Sequence, residues 1–317
     1  MKTISVFDTS IMAYNIGNEI IMDSVMIQLD EIFKDDFIIR LPIEDIGRVA
    51  RKYNALSSLT FVGGTNALNG NLRKYRQWDL NLHNILMMRH IVLMGCGWFQ
   101  YEDAAPTKYT RWAYSKVLDK NTIHSVRDSY TLGKCEALKL EGYRFVNTGC
   151  PTLWKLTPDH IAGVPHTKSD SVVFTLTDYH RDVERDRSMI EQIKSNYQSV
   201  IFFPQGTGDV KYLSDLGVND GIDIIQPRLS AFDNLLDNGS DYIGTRLHAG
   251  IRALQRQARS IIIGIDNRAL EMHNDFRLPV LPAANIESLD EMINTDYSLD
   301  LSIPWNQINE WKSQFRN

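Results

Sequence analysis

Residues 241–250 read Asp-Tyr-Ile-Gly-Thr-Arg-Leu-His-Ala-Gly, and this stretch decides the fold. Asp241–Gly244 has the short, largely apolar character of a buried strand, and a helix is predicted to follow from near His248, over Ala249–Gln257. A strand that turns within a few residues into a helix is the repeating step of a parallel α/β sheet. Working outward, Ser260–Ile265 is the next strand, and Ser171–Thr177, Ser199–Pro204 and Ile222–Ile225 precede it. Helical periodicity fills the gaps at Val183–Ser195 and Ser230–Leu236. The first half repeats the alternation, with strands predicted at Lys2–Phe7, Phe37–Leu41, Ser58–Val62, Ile91–Met94, Thr122–Val126 and Arg144–Thr148. A helix with apolar positions Ile20, Ile21, Val25, Ile27, Leu29 and Ile32 follows the first strand.

The chain has 317 residues, more than one core usually serves, so two domains are expected. Thr157–Ser169, with Pro158, Gly163 and Pro165, has turn composition and reads as the linker. The expectation is an α/β protein of two Rossmann-like domains with parallel sheets, residues 1–156 and 170–290, and an active site in the cleft between them. Residues 291–317 form a last segment, in which Trp305, Ile308, Trp311 and Phe315 recur at helical spacing. This stripe reads as a packing face, with the terminal helix docking back on the first domain.

Composition narrows the function. A formal net charge of -5 argues against a general nucleic-acid binder, because phosphate backbones select basic surfaces. Three cysteines without a CxxC pair argue against a secreted disulfide framework and fit a reduced, cytoplasmic compartment. No stretch approaches the roughly 20 apolar residues of a membrane-spanning helix. Contact with the inner face of a membrane stays open, as does the oligomeric state. There is no GxxxxGK[ST] loop, no GxGxxG after the first strand, no HExxH and no GxSxG, so ATP-type, dinucleotide, zinc and serine-hydrolase chemistry lose support.

In an open parallel sheet the loops after the strands line the ligand crevice. Asp8 and the segment Asn15-Ile16-Gly17-Asn18-Glu19 occupy the first such loop. There Gly17 allows close backbone approach, and Asn15 and Asn18 offer amide donors, although Asn18 also reads as a plain N-cap. Gly63-Gly64 follows the third strand, and glycine pairs mark many ordinary turns as well as ligand loops. Arg127 follows the strand Thr122–Val126, with Asp128 or Ser129 placed to cap a helix starting at Tyr130. The strongest loop is Gly244–Gly250. Arg246 offers a planar, permanently charged fork for carboxylate or phosphate. His248 stands at a helix N-terminus, where the macrodipole disfavours its charged form. Arg181, in Asp178-Tyr179-His180-Arg181-Asp182, and the group Asp266-Asn267-Arg268 have similar topology, though solvated charge explains them equally well.

Taken in order, these pieces resemble the polysaccharide pyruvyl transferase family: Tyr14-Asn15-Ile16-Gly17-Asn18-Glu19, Gly63-Gly64, Ser125-Val126-Arg127-Asp128, Gly149-Cys150-Pro151-Thr152 and Gly244-Thr245-Arg246-Leu247-His248. The family commonly has Asp where this chain has Asn18. The resemblance implies the GT-B-like architecture and transfer of the pyruvyl unit of phosphoenolpyruvate to two hydroxyls of a sugar, giving a cyclic ketal and phosphate. It implies a small-molecule donor, a sugar or lipid-linked oligosaccharide acceptor of a surface glycan, and no metal or further cofactor. Under it, His248 donates a proton, Arg246 and Arg127 hold the donor's charges, and Asp8 or Glu19 receives the hydroxyl proton. Leu247, Arg181, Asn15, Gly17, Asn18 and Gly64 complete the binding set. Two other readings stay open: a nucleotide-sugar glycosyltransferase or epimerase of the same architecture, and a glycan- or phosphate-binding protein without turnover.

Overall fold

A computed structural model describes residues 1–75 and 77–316. They form two compact units. The first comprises Met1–Ala13, Ile21–Trp154 and Ile303–Asn317, and the second Tyr14–Ile20 and Lys155–Ser302. These boundaries differ from the expected 1–156, 170–290 and 291–317. Residues 14–20 go with the second unit because the Ile16 amide donates to the Gln205 carbonyl at 3.0 Å. The expected linker is not loose. Thr157 caps the short helix Pro158–Ile161, and His160 bonds the Leu254 carbonyl at 3.0 Å. Residues 291–302 also stay with the second unit, where buried Tyr297 donates to the Ser260 carbonyl at 2.7 Å.

In the first unit, β1 (Thr3–Asp8), β2 (Phe37–Pro42), β3 (Leu59–Gly63) and β4 (Ile91–Met94) form a parallel sheet in the order β2-β1-β3-β4. β5 (Ile123–Val126) and β6 (Arg144–Asn147) pair in parallel and extend the layer beside β4, with the Gly95 amide donating to the Ser125 carbonyl at 3.0 Å. Between β4 and β5 the ladder is completed by a side chain. His124 Nδ1 accepts from the Leu93 amide at 3.3 Å, and Nε2 faces the Asp119 carbonyl at 2.9 Å, which selects the neutral tautomer with the proton on Nε2. Burial in this seam pushes the imidazole down to about 4 from 6.5, against the opposing pull of the Asp119 carbonyl and carboxylate. The helix Trp305–Ser313 packs on this unit. Trp311 is fully buried with ring centroids 6.1 Å from Phe61, 5.6 Å from Trp154 and 5.0 Å from Phe315.

In the second unit, β7 (Ser171–Thr175), β8 (Ser199–Phe202), β9 (Ile222–Ile224), β10 (Asp241–Gly244), β11 (Ser260–Gly264) and β12 (Val280–Pro282) form one parallel sheet, order β12-β11-β10-β7-β8-β9. All eleven strands expected from the sequence are present; β12 is additional, a three-residue edge strand flanked by Pro279 and closed by Pro282. The helix Leu247–Gln255 follows β10 at the sheet centre and is buried along its whole length. Gly250 makes this fit, since a Cβ there would lie 2.3 Å from Ile262 on the adjacent strand.

Two outcomes follow. Trp311→Ala removes a buried indole and should cost about 3–5 kcal/mol of stability by denaturant unfolding. Because His124 binds its proton less tightly when folded, its contribution is present above pH 6.5 and lost as pH falls toward 4. His124→Asn should therefore flatten the acid side of the stability profile by up to ~3 kcal/mol, read by unfolding at pH 4.5 and 7.

Candidate functional site

At the C-terminal ends of β7, β8 and β10 the second unit draws several loops onto one guanidinium. Arg246 donates from Nε to the Leu176 carbonyl at 2.8 Å, and from Nη2 to Asp209 Oδ1 at 2.6 Å and Asp178 Oδ1 at 3.2 Å. Its side chain is 3% exposed and that of Asp209 is 0%. Asp209 is satisfied on both oxygens: Oδ2 accepts from the Gly206 amide at 2.7 Å and the Gln205 amide at 3.0 Å, and Oδ1 from the Asp178 amide at 3.3 Å. Burial pushes this carboxyl up, opposed by Arg246. Gly206 leaves room for the arrangement, since a Cβ there would stand 2.8 Å from Arg246 Nη2.

The segment 14–20 is tied to the same loop. Gln205 Nε2 donates to Asn15 Oδ1 at 3.0 Å, the same oxygen accepts from the Gly17 amide at 2.9 Å, and Asn15 bridges Gly206 in antiparallel sense. A Cβ on Gly17 would sit 2.5 Å from Gln205 Nε2, so the absent side chain admits Gln205 rather than a ligand. The helix here starts at Gly17, one residue before Asn18. Gln205 Oε1 is buried without a hydrogen-bond partner.

Tyr179 links two further loops. Its ring lies 5.0 Å from the Arg246 Cζ, and its hydroxyl accepts from Arg268 Nη2 at 3.1 Å. Thr175 and Tyr242 fix the backbone beneath: their hydroxyls are 2.7 Å apart, and the Tyr242 hydroxyl donates to the Arg246 carbonyl at 2.9 Å.

Helix caps divide the strand ends into two groups, and the helices Asp209–Leu216 and Leu229–Asp237, with Gly208 and Arg228 at their N-caps, make no side-chain cap bond. The helix Ser129–Ala137 is capped by Asp128, Val183–Asn196 by Asp182 and Asn267–Phe276 by Asp266, each carboxylate accepting first-turn amides. The helix Leu247–Gln255 has Arg246 at its N-cap and no side-chain cap bond. A helix N-terminus carries partial positive charge that an Asp cap would neutralise. Here no N-cap side chain neutralises it. His248 stands in that first turn and is 7% exposed.

The remaining expected residues are placed as follows. Arg246 faces two carboxylates, so the ion-pair group supplies no net positive charge and braces the loops; the cationic character at this point comes from the helix terminus. Among the described residues only its Nη1 edge stays outside these contacts. Arg181, expected as an anion contact, is a surface residue bonded to the Asp178 carbonyl at 2.8 Å and to Asp215 at 3.4 Å. Asp8, Gly64 and Arg127 belong to the first unit. Asp8 is fully buried; it is ion-paired to Arg40 and accepts from the Ser10 amide at 2.7 Å and hydroxyl at 2.6 Å. Asp8, expected as a general base, thus holds this loop through Arg40 and Ser10. Glu19 is exposed. Gly64 has φ +62°, and a Cβ would overlap Ile21 at 2.4 Å, so its close approach is to the protein itself.

Arg127 is 1% exposed and bonded to Asp128 at 3.2 Å and Asn66 at 2.6 Å. Gly97 lies directly under it, with Cζ only 2.2 Å from where a Cβ would be. Arg127, expected as a donor contact, clamps the loops that follow β3, β4 and β5, and among the described residues its buried Nη2 has no hydrogen-bond partner. Sequence reasoning missed Asp209, Gln205 and Arg40. The run Gln205-Gly206-Thr207-Gly208-Asp209, two glycines and an acid directly after a strand, carried the same signal as the loops that were read.

Comparison with solved structures places this architecture among known α/β proteins with parallel sheets. The Methanocaldococcus jannaschii UDP-GlcNAc 2-epimerase in complex with UDP-GlcNAc and UDP matches with TM-score 0.55 at 12% identity, over 100% of this chain and 99% of that one. The E. coli heptosyltransferase WaaC gives 0.37 at 11%, over 82% and 88%, and Acinetobacter baumannii MurG 0.35 at 10%, over 100% and 95%. At these identities the likeness concerns the fold, the GT-B-like class of two Rossmann-like units. No curated protein sequence matches. The model of the family described as polysaccharide pyruvyl transferase matches residues 15–267, and the chain belongs to that family.

Asp209→Ala leaves Arg246 buried against a single partly exposed carboxylate. It should cost about 3–5 kcal/mol in unfolding experiments, the penalty of an unpaired buried charge. Arg181→Ala should change stability by less than about 1 kcal/mol in the same assay.

Proposed function

We propose that the protein is a transferase that moves the pyruvyl group of phosphoenolpyruvate onto a sugar of a surface glycan or its precursor, forming a cyclic ketal and releasing phosphate. Family membership supports the reaction class. The observation that supports a site is the helix Leu247–Gln255, buried along its whole length at the sheet centre, whose N-cap Arg246 makes no side-chain cap bond. An anionic donor supplies the acceptors that a capping carboxylate would otherwise provide.

In this reading the phosphate rests on the first-turn amides at Leu247 and His248. The Nη1 edge of Arg246 and Arg268, both of which contact Tyr179, are the side-chain cations assigned to it. His248 gives a proton to the donor's methylene carbon as an acceptor hydroxyl adds to the neighbouring carbon, and the imidazole then takes up the proton which that hydroxyl loses. The second hydroxyl then displaces phosphate, whose developing charge meets the helix terminus. Neither metal nor another cofactor enters this scheme. The Arg246–Asp209 pair acts by holding the turn, so donor affinity depends on it indirectly.

The test is phosphate release from phosphoenolpyruvate in the presence of a glycan acceptor, with a new ketal methyl signal in the product's NMR spectrum. Neither signal, together with thermal stabilisation by a UDP-sugar alone, would replace this reading with a nucleotide-sugar enzyme. Phosphoenolpyruvate binding without turnover on any acceptor would leave a binding protein. His248→Ala should keep donor affinity within about threefold and lose turnover by roughly 10²-fold or more. Turnover close to that of the unaltered protein would remove His248 from the mechanism.

A further inference from the structure

On one face of the first unit's sheet, two neighbouring helices present apolar side chains to solvent. The helices Arg48–Leu56 and Leu82–Met87 are joined by Arg51 Nη1 donating to Asn84 Oδ1 at 2.8 Å, and by Asn54 Nδ2 donating to the Arg89 carbonyl at 3.0 Å. Their inward residues Ala50, Asn54, Asn84 and Ile85 are buried. Their outward residues include Val49, Leu56, Leu82, Leu86 and Met87, each between 50% and 65% exposed. Single exposed apolar residues are ordinary, but five on two adjoining helices make a patch.

The charged residues on the two helices themselves are cations, with Asp119 paired to His90 at 2.9 Å just beyond the second and Asp79 bonded to Asn84 at 2.8 Å. The stretch 47–56 carries Arg48, Arg51 and Lys52 and the stretch 82–90 carries Arg89, with no Asp or Glu in either, although the whole chain has net charge -5. Glu44 and Asp45 lie before the first of these helices. The helix Lys108–Val117 packs on the helix Leu82–Met87. At its start is a cavity of about 640 Å³ lined by Asn71, Arg73, Lys74, Thr107, Lys108 and Tyr109, again with cations and no carboxylate. Among the described residues no helix is long and apolar enough to cross a membrane.

We infer that this face docks on the surface of a bilayer containing anionic lipid, with Leu82, Leu86, Met87, Val49 and Leu56 entering the headgroup boundary and Arg48, Lys52 and Arg89 facing the anionic headgroups. Exposed apolar side chains on helices whose own charges are cations are the chemistry that such a surface selects, and a purely apolar protein partner would not favour Arg48, Lys52 and Arg89. The docking is separate from turnover, so it is read without an activity assay, and it stands or fails independently of the proposed reaction.

The experiment is co-sedimentation of the full chain with vesicles of phosphatidylcholine alone and with about 30% phosphatidylglycerol, at low and high salt. The protein should pellet with the anionic vesicles at ~0.1 M salt, and binding should fall at least about fivefold at ~0.5 M. Leu86→Asp with Met87→Asp should lower binding about tenfold or more. Arg48→Glu with Lys52→Glu should do the same and remove the salt dependence. Both pairs are exposed, and circular dichroism checks that each variant folds. Absence of binding to anionic vesicles, or binding unchanged in both folded variants, overturns the inference. So does gel filtration in which the unaltered protein is a dimer and both variants are monomers, which would assign the face to a second copy of the chain.

Discussion

The second unit depends on one buried ion pair. Arg246 and Asp209 lie 37 positions apart in the sequence, both essentially without solvent, and removing two charges from water is costly unless every remaining donor and acceptor is used. The structure meets that condition by drawing the amides of Asp178, Gln205 and Gly206 and the carbonyl of Leu176 onto the pair. Three strand ends and the segment around Asn15 are thereby fixed to one another. The position of the helix that starts at Leu247 follows, because Arg246 is also its N-cap. Such a pair contributes less to net stability than to the uniqueness of the arrangement, which suits a place where loops must keep a fixed geometry.

The first unit solves a similar problem differently. Arg127 is as deeply buried as Arg246, but it has one carboxylate, a neighbour in sequence, and one amide oxygen. The same Asp128 also caps the following helix through the Thr131 amide at 2.7 Å. Space for the guanidinium is made by Gly97, so the sequence Gly95-Cys96-Gly97 records a packing requirement as well as a turn. Glycine at a strand end therefore has two meanings in this protein. At Gly64, Gly97, Gly17 and Gly206 the atoms that a Cβ would strike are Ile21, Arg127, Gln205 and Arg246, and none of these is a ligand.

Much of the fold was legible because β-strands buried on both faces are short apolar runs bounded by polar or glycine residues. Ile91–Met94 and Ser260–Gly264 stand out without any partner being known. β12 was not legible, since Val280–Pro282 has no period to detect. The helix Arg48–Leu56 was passed over because its sequence, Arg-Val-Ala-Arg-Lys-Tyr-Asn-Ala-Leu, is polar and buries little. The site was legible by position and illegible by pairing. That Arg246, His248 and Asp8 sit at strand ends follows from the alternation of elements. That Asp209 meets Arg246 depends on β8 lying next to β7 and β7 next to β10, and that Arg40 reaches Asp8 depends on β2 pairing with β1. Neither neighbour relation is written in local sequence.

Topology also explains why arginine at a strand end is a poor indicator of ligand contact taken alone. A parallel sheet collects helix N-termini on one edge, and that edge attracts carboxylates as caps: Asp128, Asp182 and Asp266 all arrive there for this reason. Arginines then follow as counter-ions of the caps, as Arg268 does for Asp266 and Arg127 for Asp128. Two helices instead have a cation in the cap position itself, Arg228 and Arg246. Arg246 cannot satisfy first-turn amides, and its side chain turns away to Asp209. The first turn of that helix also holds His248, which is 7% exposed.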